Sequence, residues 1–263
     1  MSNTSLRRQG RYGVDAPNWL LAFGAGVVAP LAAVAAGGPR RLLRIPPVLA
    51  VAGGLFLHAS VRGKFLVWEE QLDALDLQGD ERVLDLGCGR GAVLTAVARR
   101  VPKGRVTGVD IWRSVDQSGN DERTAADNAE LERVADQVDL VTADMRRLPL
   151  ADDRFDVVVS SMAIHNITSA RGREEAVREA YRVLRPGGRL LIADIFHARR
   201  YVEILRAAGA VDTTCTDAGP RMWWSGPWVP TLLVSATKPA DRTADSDSDS
   251  DADNDDRDGT QES

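Results

Sequence analysis

Cysteine and histidine are scarce in this chain of 263 residues, which contains only two cysteines and three histidines. Two cysteines cannot build the disulfide framework of a small secreted protein, and their low number suits a reducing compartment. No paired cysteine and histidine spacing of a zinc site occurs either. The sequence therefore predicts a fold that depends on a hydrophobic core, with no metal site.

Clusters of basic residues and a Ser/His/Asp signature are also absent, so neither nucleic-acid binding nor a serine-hydrolase mechanism is expected. The net charge of −5 comes from the carboxyl end, because residues 241–263 contain ten acids, two arginines and no aliphatic residue larger than alanine. Such a segment cannot form a core. We predict a disordered acidic tail over residues 239–263, which leaves the preceding chain slightly positive.

A glycine-rich turn is the most informative feature present. The apolar run that starts at Val83 contains the acid Asp85 and leads into glycines at 87, 89 and 91. Glycines let a backbone bend sharply and approach a ligand closely. The same spacing satisfies the dinucleotide fingerprint, but a carboxylate at this position would repel a pyrophosphate and attract a cationic ligand. This favours S-adenosyl-L-methionine over NAD.

A second acid, Asp110, ends the next predicted strand and lies 19 residues beyond Gly91. An acid at this distance can accept hydrogen bonds from both hydroxyls of a ribose. The two acids therefore predict one nucleoside site.

Alternating strand and helix patterns predict an α/β fold with a doubly wound, mainly parallel, seven-stranded sheet. The predicted strands are 82–86, 105–110, 137–142, 155–161, 189–194, 211–215 and 231–236. The predicted helices between them are 92–101, 122–135, 172–184 and 199–208. Ligands of such sheets bind outside the carboxyl ends of the strands, which is where both acids fall.

From Val67 to Lys238 the chain resembles the class I S-adenosylmethionine-dependent methyltransferases, which have a Rossmann-like fold. Four segments carry the resemblance, namely 83–91, 105–111, 141–145 and 183–192. It implies that Asp85 lies near the methionine amino group and that Asp110 binds the ribose. It further implies an antiparallel last strand. The other residues assigned to the cofactor are Gly87, Cys88, Gly89, Gly91, Ile111, Asp144, Met145 and Ser161.

Two of these assignments have a structural alternative. Asp144 is expected to receive the adenine amino group with Met145 against the base, yet an Asp before a turn is commonly a helix cap. Cys88 is expected to be a small buried filler rather than a nucleophile.

His165 follows the fourth predicted strand, where an acceptor must enter, and is the candidate catalytic residue. A histidine there could remove a proton from an attacking atom. The alternative is a loop histidine that only holds backbone carbonyls. Methyl transfer can also proceed by alignment alone, so a general base is not obligatory.

Four of the six tryptophans fall in two loops, 112–120 and 221–228. Their rings could clamp an acceptor, pack beneath the loops, or lie at a membrane interface. The sequence leaves these possibilities open.

Two charge-free segments precede the enzyme domain, at residues 19–36 and 45–61, with Arg40, Arg41 and Arg44 between them. Each is near the minimum length for crossing a bilayer. We predict a basic segment at 1–17, a membrane hairpin at 18–62 with both ends in the cytoplasm, and a catalytic domain at 63–238. A signal peptide cleaved after Ala33-Val34-Ala35, buried helices, or a helical pair on the bilayer surface are the alternatives.

The expected activity is transfer of the methyl group of S-adenosyl-L-methionine to a small-molecule or lipid-like acceptor. The alternatives are a nucleotide-dependent oxidoreductase and a membrane-tethered binding module without turnover. The sequence does not predict the acceptor or the oligomeric state.

Overall fold

Seven strands form a single sheet in the computed structural model of this chain, which describes residues 8–113 and 117–240. The strand order is β3-β2-β1-β4-β5-β7-β6. The strands are β1 (Arg82–Leu86), β2 (Arg105–Asp110), β3 (Val138–Thr142), β4 (Phe155–Ser161), β5 (Leu184–Asp194), β6 (Val211–Asp217) and β7 (Leu232–Thr237). The first five are parallel, and β7 runs antiparallel to both of its neighbours. The doubly wound, mainly parallel sheet predicted from the sequence is confirmed.

Four helices cover the sheet and agree with the sequence pattern except at their ends. They are α4 (Ala92–Ala98), α5 (Glu122–Leu131), α6 (Ala170–Arg182) and α7 (Ala198–Ala207). The side chain of Asp121 caps α5 and that of Ser169 caps α6, which satisfies amide groups left open in the first turn. Helix α5 ends earlier than predicted because Arg133 has a positive φ of 60°, a backbone conformation that a helix cannot contain.

Two buried clusters flank the sheet. Val83 belongs to one cluster, together with side chains of α4, whereas Leu84 and Leu86 belong to the other, together with side chains of α6 and α7. This alternation follows from the two-residue period of a strand. The carboxyl ends of β1, β2 and β4 are thereby fixed between two packed layers.

The hydrophobic hairpin consists of α1 (Pro17–Ala35), a 3₁₀ turn (Arg40–Arg44) and α2 (Ile45–His58). One π turn (Ala59–Gly63) continues α2 directly into α3 (Lys64–Ala74). Helix α3 was not predicted from the sequence. The predicted domain boundary after residue 62 therefore falls inside a continuous helical segment. By length and composition, two helical segments of the described chain, 17–35 and 40–74, could cross a membrane.

Helix α1 contains no buried residue, so it is not the core helix that one alternative required. The arm before it (residues 8–16) lies across the α/β domain instead. In this arm, the amide of Arg11 donates to Asn128 of α5 and the hydroxyl of Tyr12 pairs with Thr95 of α4. Residues 1–7 and the predicted acidic tail from Asp241 onward lie outside the described residues, as do residues 114–116.

Candidate cofactor and acceptor site

The glycine loop after β1 turns back on the end of β2. The amides of Gly87 and Cys88 both donate to the carbonyl of Val109, at 2.8 and 3.1 Å. Gly87 has a φ of 76°, and a Cβ atom built on it would lie only 2.3 Å from the Cβ atom of Ala163. Gly91, with a φ of 80°, stands at the start of α4. The loop therefore needs glycine at position 87 for both backbone conformation and space.

A cavity of about 530 Å³ opens above this loop. It is lined by every residue assigned to the cofactor except Gly91, and by His165. Apart from Gly91, the predicted residues are thus brought together at the carboxyl ends of β1, β2, β3 and β4, as the fold requires.

Asp85 is the most unusual group in this cavity. Its side chain is buried, and neither carboxylate oxygen has a hydrogen-bond partner among the described residues. Burial, with a smaller contribution from the charge of Asp110, raises the pKa of Asp85 to about 7. The backbone amide of Leu94 lowers this pKa slightly, although it does not form a hydrogen bond of normal geometry with the carboxylate. A buried carboxylate without a partner fits a ligand that carries an ammonium group.

Asp110 has structural partners already. Its Oδ2 atom accepts from the amide of Gly89 at 2.8 Å, and its Oδ1 atom accepts from the amide of Trp112 at 2.7 Å. Asn120 also donates to its Oδ1 atom, at 3.4 Å. A carboxylate offers about four acceptor positions, so one stays open for a ribose hydroxyl, and a second hydroxyl would replace the long bond from Asn120. Asp110 therefore joins the glycine loop to the end of β2, and its role toward a ribose stays a prediction.

Asp144 lies in the turn after β3, where no helix begins, so it is not a helix cap. Its carboxylate accepts from the amide of Arg146 and pairs with the guanidinium of the same residue at 2.9 Å, which lowers its pKa. Met145 reaches towards the glycine loop, since its Cε atom lies 3.0 Å from a Cβ atom built on Gly87. Ile111 is half exposed and lines the cavity, so it offers an apolar surface for a base. The adenine contacts remain predictions.

Cys88 is buried beneath the loop, and burial raises the pKa of its thiol. A protonated thiol is a poor nucleophile. This agrees with its expected role as a small filler.

His165 takes part in a buried network at the end of β5. Its Nδ1 atom faces Oδ1 of Asp194 within hydrogen-bond distance, and its amide donates to Oδ2 of the same carboxylate at 3.0 Å. Tyr201 also donates to Asp194, at 3.1 Å, and burial followed by the charge of Asp194 raises the pKa of this tyrosine. Asp194 is fully buried. The network fixes the orientation of the histidine ring.

Asp194 was not among the site residues predicted from the sequence, although a signal was present. Asp194 ends an apolar strand, as Asp110 does, and the carboxyl ends of parallel strands share one edge of a sheet. The acid of β5 could have been placed beside His165 by the argument that placed Asp110 beside the glycine loop.

A second group was missed because no local pattern marks it. Asp15 of the arm accepts from Gln117, which in turn accepts from the amide of Arg90 in the glycine loop. Ser161 accepts from the indole N–H of Trp68 at 2.8 Å, and both residues line the cavity. The arm and α3 therefore complete the site.

The two tryptophan loops have different surroundings. Trp112 donates to Thr142 at 2.7 Å near the predicted adenine side. Trp224 is buried, donates to Thr231 and lines the cavity, whereas Trp228 is largely exposed. One ring of the second loop thus packs beneath it and forms part of the cavity wall.

Comparison with known proteins also points to a methyltransferase. Residues 84–192 match a family model described as a methyltransferase domain. The ubiquinone/menaquinone biosynthesis C-methyltransferase UbiE of Roseobacter denitrificans is 36% identical over 129 residues, or 49% of this chain and 48% of that protein. Methyltransferase GfsG of Streptomyces halstedii is 38% identical over 148 residues, or 56% of this chain and 49% of that protein. The chain spans about half the length of these curated relatives.

A solved structure shares the fold. The structure of a SAM-dependent methyltransferase from Aquifex aeolicus matches 65% of this chain and 88% of its own, with a TM-score of 0.52 and 19% identity. None of these similarities supports the nucleotide-dependent oxidoreductase considered above. The α/β domain of this chain, with its glycine loop, its unpartnered acid and its antiparallel last strand, is thus similar in sequence to methyltransferases and has the fold of a SAM-dependent methyltransferase.

Proposed function

We propose that this chain transfers the methyl group of S-adenosyl-L-methionine to a small-molecule acceptor that loses a proton during the reaction. One observation carries the proposal: the buried, unpartnered carboxylate of Asp85 and the imidazole of His165 line the same cavity. The first group suits a cationic ligand, and the second suits proton removal from an acceptor.

The residues present fit the cofactor. Asp85 would bind its ammonium group and Asp110 would accept from the ribose hydroxyls, while Gly87 leaves room for Ala163 and Met145 at the floor of the cavity. Ile111 and Met145 would pack against the adenine, with Asp144 at its amino group. Bound in this way, the cofactor supplies an electrophilic methyl group attached to a positively charged sulfur.

His165 acts on the acceptor. The bond from Nδ1 to Asp194 favours the tautomer in which the lone pair is on Nε2, the atom that takes the proton. Asp194 is a positioning residue, because it holds the ring and stabilises the imidazolium that forms.

The names of relatives bear on the acceptor. The relative from Roseobacter denitrificans is named as a C-methyltransferase of ubiquinone and menaquinone biosynthesis. For the present chain we propose only the type of nucleophile, which is a carbon or oxygen atom made electron-rich by loss of a hydroxyl proton. A base beside the cavity serves either case.

The hairpin associates with a membrane in this proposal, and the catalytic domain lies in the cytoplasm, where the cofactor is made. The outer side chains of the hairpin are apolar and exposed, including Leu21, Val28, Val48 and Val51. Helix α1 has 19 residues, which corresponds to about 28 Å and matches the hydrocarbon core of a bilayer. Flotation of the full chain with phosphatidylcholine and phosphatidylglycerol vesicles tests this, and recovery only in the soluble fraction contradicts it.

Product labelling tests the activity. The full chain in the same vesicles is incubated with S-adenosylmethionine labelled in its methyl group and with a cell extract divided into lipid and aqueous fractions. We expect label in one organic product, equimolar S-adenosylhomocysteine, and neither with Asp85→Asn. Binding of NAD instead of S-adenosylmethionine indicates the oxidoreductase. Cofactor binding without S-adenosylhomocysteine in any fraction indicates the non-catalytic module.

A further inference from the structure

The cavity extends beyond the cofactor residues to the base of the hydrophobic hairpin. Trp19 and Phe23 of α1, Phe56 of α2 and Trp224 of the loop before β7 line the same cavity as Asp85 and His165. We refer to these four side chains as the aromatic row. A hairpin that served only as an anchor would need no wall in the active-site cavity.

The four rings are neighbours in space. Ring centroids are 5.2 Å apart between Trp224 and Phe56, 6.0 Å between Phe56 and Phe23, and 6.4 Å between Phe23 and Trp19. Exposure increases along the row, from 5% at Trp224 and 6% at Phe56 to 61% at Trp19. The row therefore leads from a buried wall to the outer surface of α1.

The inner end of the row is tied to the loop that carries His165. Trp224 donates to the hydroxyl of Thr231, which contacts the sulfur of Met162 at 3.9 Å. Met162 precedes Ala163, whose Cβ atom occupies the space directly beside Gly87. An apolar group along the row would thus point its inner end at the site of methyl transfer.

The outer end lies where a bilayer would begin. Trp19 is at the start of α1, and tryptophan is enriched at membrane–water interfaces. The exposed apolar side chains of the hairpin lie beyond it in the chain, and the arginines at 40, 41 and 44 form the far turn, where they suit lipid phosphates. The row therefore opens on the interfacial end of the hairpin.

The hairpin is docked closely on the catalytic domain. A Cβ atom built on Gly63 would lie 1.8 Å from the carbonyl oxygen of Arg221, so the helix and the loop before β7 touch through their backbones. This contact is at the π turn between α2 and α3, a type of turn that is frequent at functional sites. The aromatic row is therefore a built wall between the two parts.

We infer that the acceptor is an amphiphile with a long hydrocarbon tail, drawn from the bilayer, and that the tail lies along the aromatic row with the reactive head beside His165. This inference rests on the proposed function and deepens it by giving the substrate class. A tail of this kind remains partly in lipid while the head enters the cavity, so the acceptor need not leave the membrane. Aromatic rings supply a large apolar surface for such a chain.

Photolabelling with defined probes tests the inference. The probes are a hexadecyl and a butyl ester of 4-hydroxybenzoic acid, each with a diazirine on the third carbon of the alkyl chain, so that the reactive group lies at the same distance from the head in both. The full chain is held in dioleoylphosphatidylcholine vesicles with saturating S-adenosylhomocysteine, and labelled positions are mapped by mass spectrometry. We expect the hexadecyl probe, which its tail holds along the row, to label Phe56 and Trp224, with competition by the unlabelled hexadecyl ester, and the butyl probe, which has no such tail, to label neither.

Two substitutions in α1 provide a matched pair. Phe23→Ser removes a ring of the row and should lower hexadecyl labelling at Phe56 about tenfold, the equivalent of one buried apolar side chain. Leu21→Ser, at a side chain that is 73% exposed and does not line the cavity, should leave it unchanged. Phe23→Leu keeps the position filled with an apolar side chain, so a smaller decrease in labelling at Phe56 in this variant excludes misfolding as the cause.

Failure of this inference can be distinguished from failure of the proposed function. Calorimetric binding of S-adenosylhomocysteine reports on the cofactor site without any acceptor, and its loss would overturn the proposed function. If cofactor binding is retained, three results would overturn only the inference about the tail. They are label confined to outward residues such as Leu21, Val48 and Val51, equal labelling by both probes, and no labelling.

Discussion

The ammonium nitrogen of Lys64 lies 2.7 Å from Oδ2 of Asp15, and both side chains are largely buried. Asp15 precedes α1 and Lys64 begins α3, so this ion pair closes the base of the hydrophobic hairpin. The amide of Asp15 also donates to Ser60 of the π turn, and its Oδ1 atom accepts from Gln117 beside the glycine loop. The position of the hairpin is thereby linked to the cofactor site.

Breaking this pair should destabilise the protein strongly. Asp15→Ala leaves the buried ammonium of Lys64 without its partner, and we expect a loss of about 3 kcal/mol in the free energy of unfolding. The double variant Asp15→Ala, Lys64→Met removes both charges and should recover most of the lost free energy of unfolding. Denaturant unfolding in detergent measures the difference.

The control is the exposed ion pair between Arg221 and Glu70, at 2.5 Å. Water already solvates both groups, so Glu70→Ala should have a much smaller effect. Equal losses in the two single variants would contradict the importance of burial at Asp15.

Much of the site was predictable because the chemistry of a parallel sheet is local in sequence. Asp85, the glycine loop and Asp110 lie within a few residues of strand ends, and a strand end fixes where its next residues go. Helix α3 and the arm were not predictable in this way. Asp15 and Trp68 reach the cavity only because the hairpin folds back, and no short motif records that return.

Gly87 and Gly187 have nearly the same backbone φ angle but different surroundings. Their φ values are 76° and 75°, but a Cβ atom at Gly187 would meet nothing within 4 Å. Gly87→Ala should therefore weaken S-adenosylhomocysteine binding more than about tenfold, because the methyl group and Ala163 compete for the floor of the cavity. Gly187→Ala should cost only backbone strain and leave affinity unchanged.

Calorimetry on the two variants checks this comparison. The double variant Gly87→Ala, Ala163→Gly relieves the contact and should restore part of the affinity. Equal affinity for the two single variants would show that the glycine loop is not the cofactor floor.

Asp85 should make cofactor binding depend on pH. Its pKa of about 7 in the free protein means that the carboxyl is mostly protonated at pH 6, whereas an ammonium ligand requires the carboxylate. Binding at pH 6 should therefore release about 0.9 proton, and affinity should rise as the pH increases towards 8. Calorimetry in two buffers with different ionisation enthalpies measures the released proton.

The same shift has a consequence for stability. A raised pKa means that the folded state holds its proton more tightly than the unfolded chain, so the contribution of Asp85 is present below about pH 4 and is lost as the pH rises through about 7. Asp85→Asn should remove both this dependence and the proton release. Proton release that persists in Asp85→Asn would assign it to another group.

His165 should affect turnover without affecting cofactor binding. His165→Gln preserves polarity but removes the base, so we expect kcat for the labelled acceptor to fall by about 10²- to 10⁴-fold. The affinity for S-adenosylhomocysteine should stay the same. If His165 only holds its loop in place, kcat will change little or will fall together with cofactor affinity and thermal stability.

Asp194 should act through His165, and its effect can be observed directly. Its carboxylate accepts from the imidazole at Nδ1, from the amide of His165 and from the hydroxyl of Tyr201, so it orients the ring without touching the acceptor. Nitrogen NMR of the imidazole should show a proton on Nδ1 in the wild type and mixed tautomers in Asp194→Asn, with kcat reduced and KM little changed. Tyr201→Phe removes one donor to Asp194 but leaves the carboxylate facing Nδ1, so it should preserve the tautomer. An unchanged tautomer in Asp194→Asn would mean that the low activity arises from packing at the end of β5.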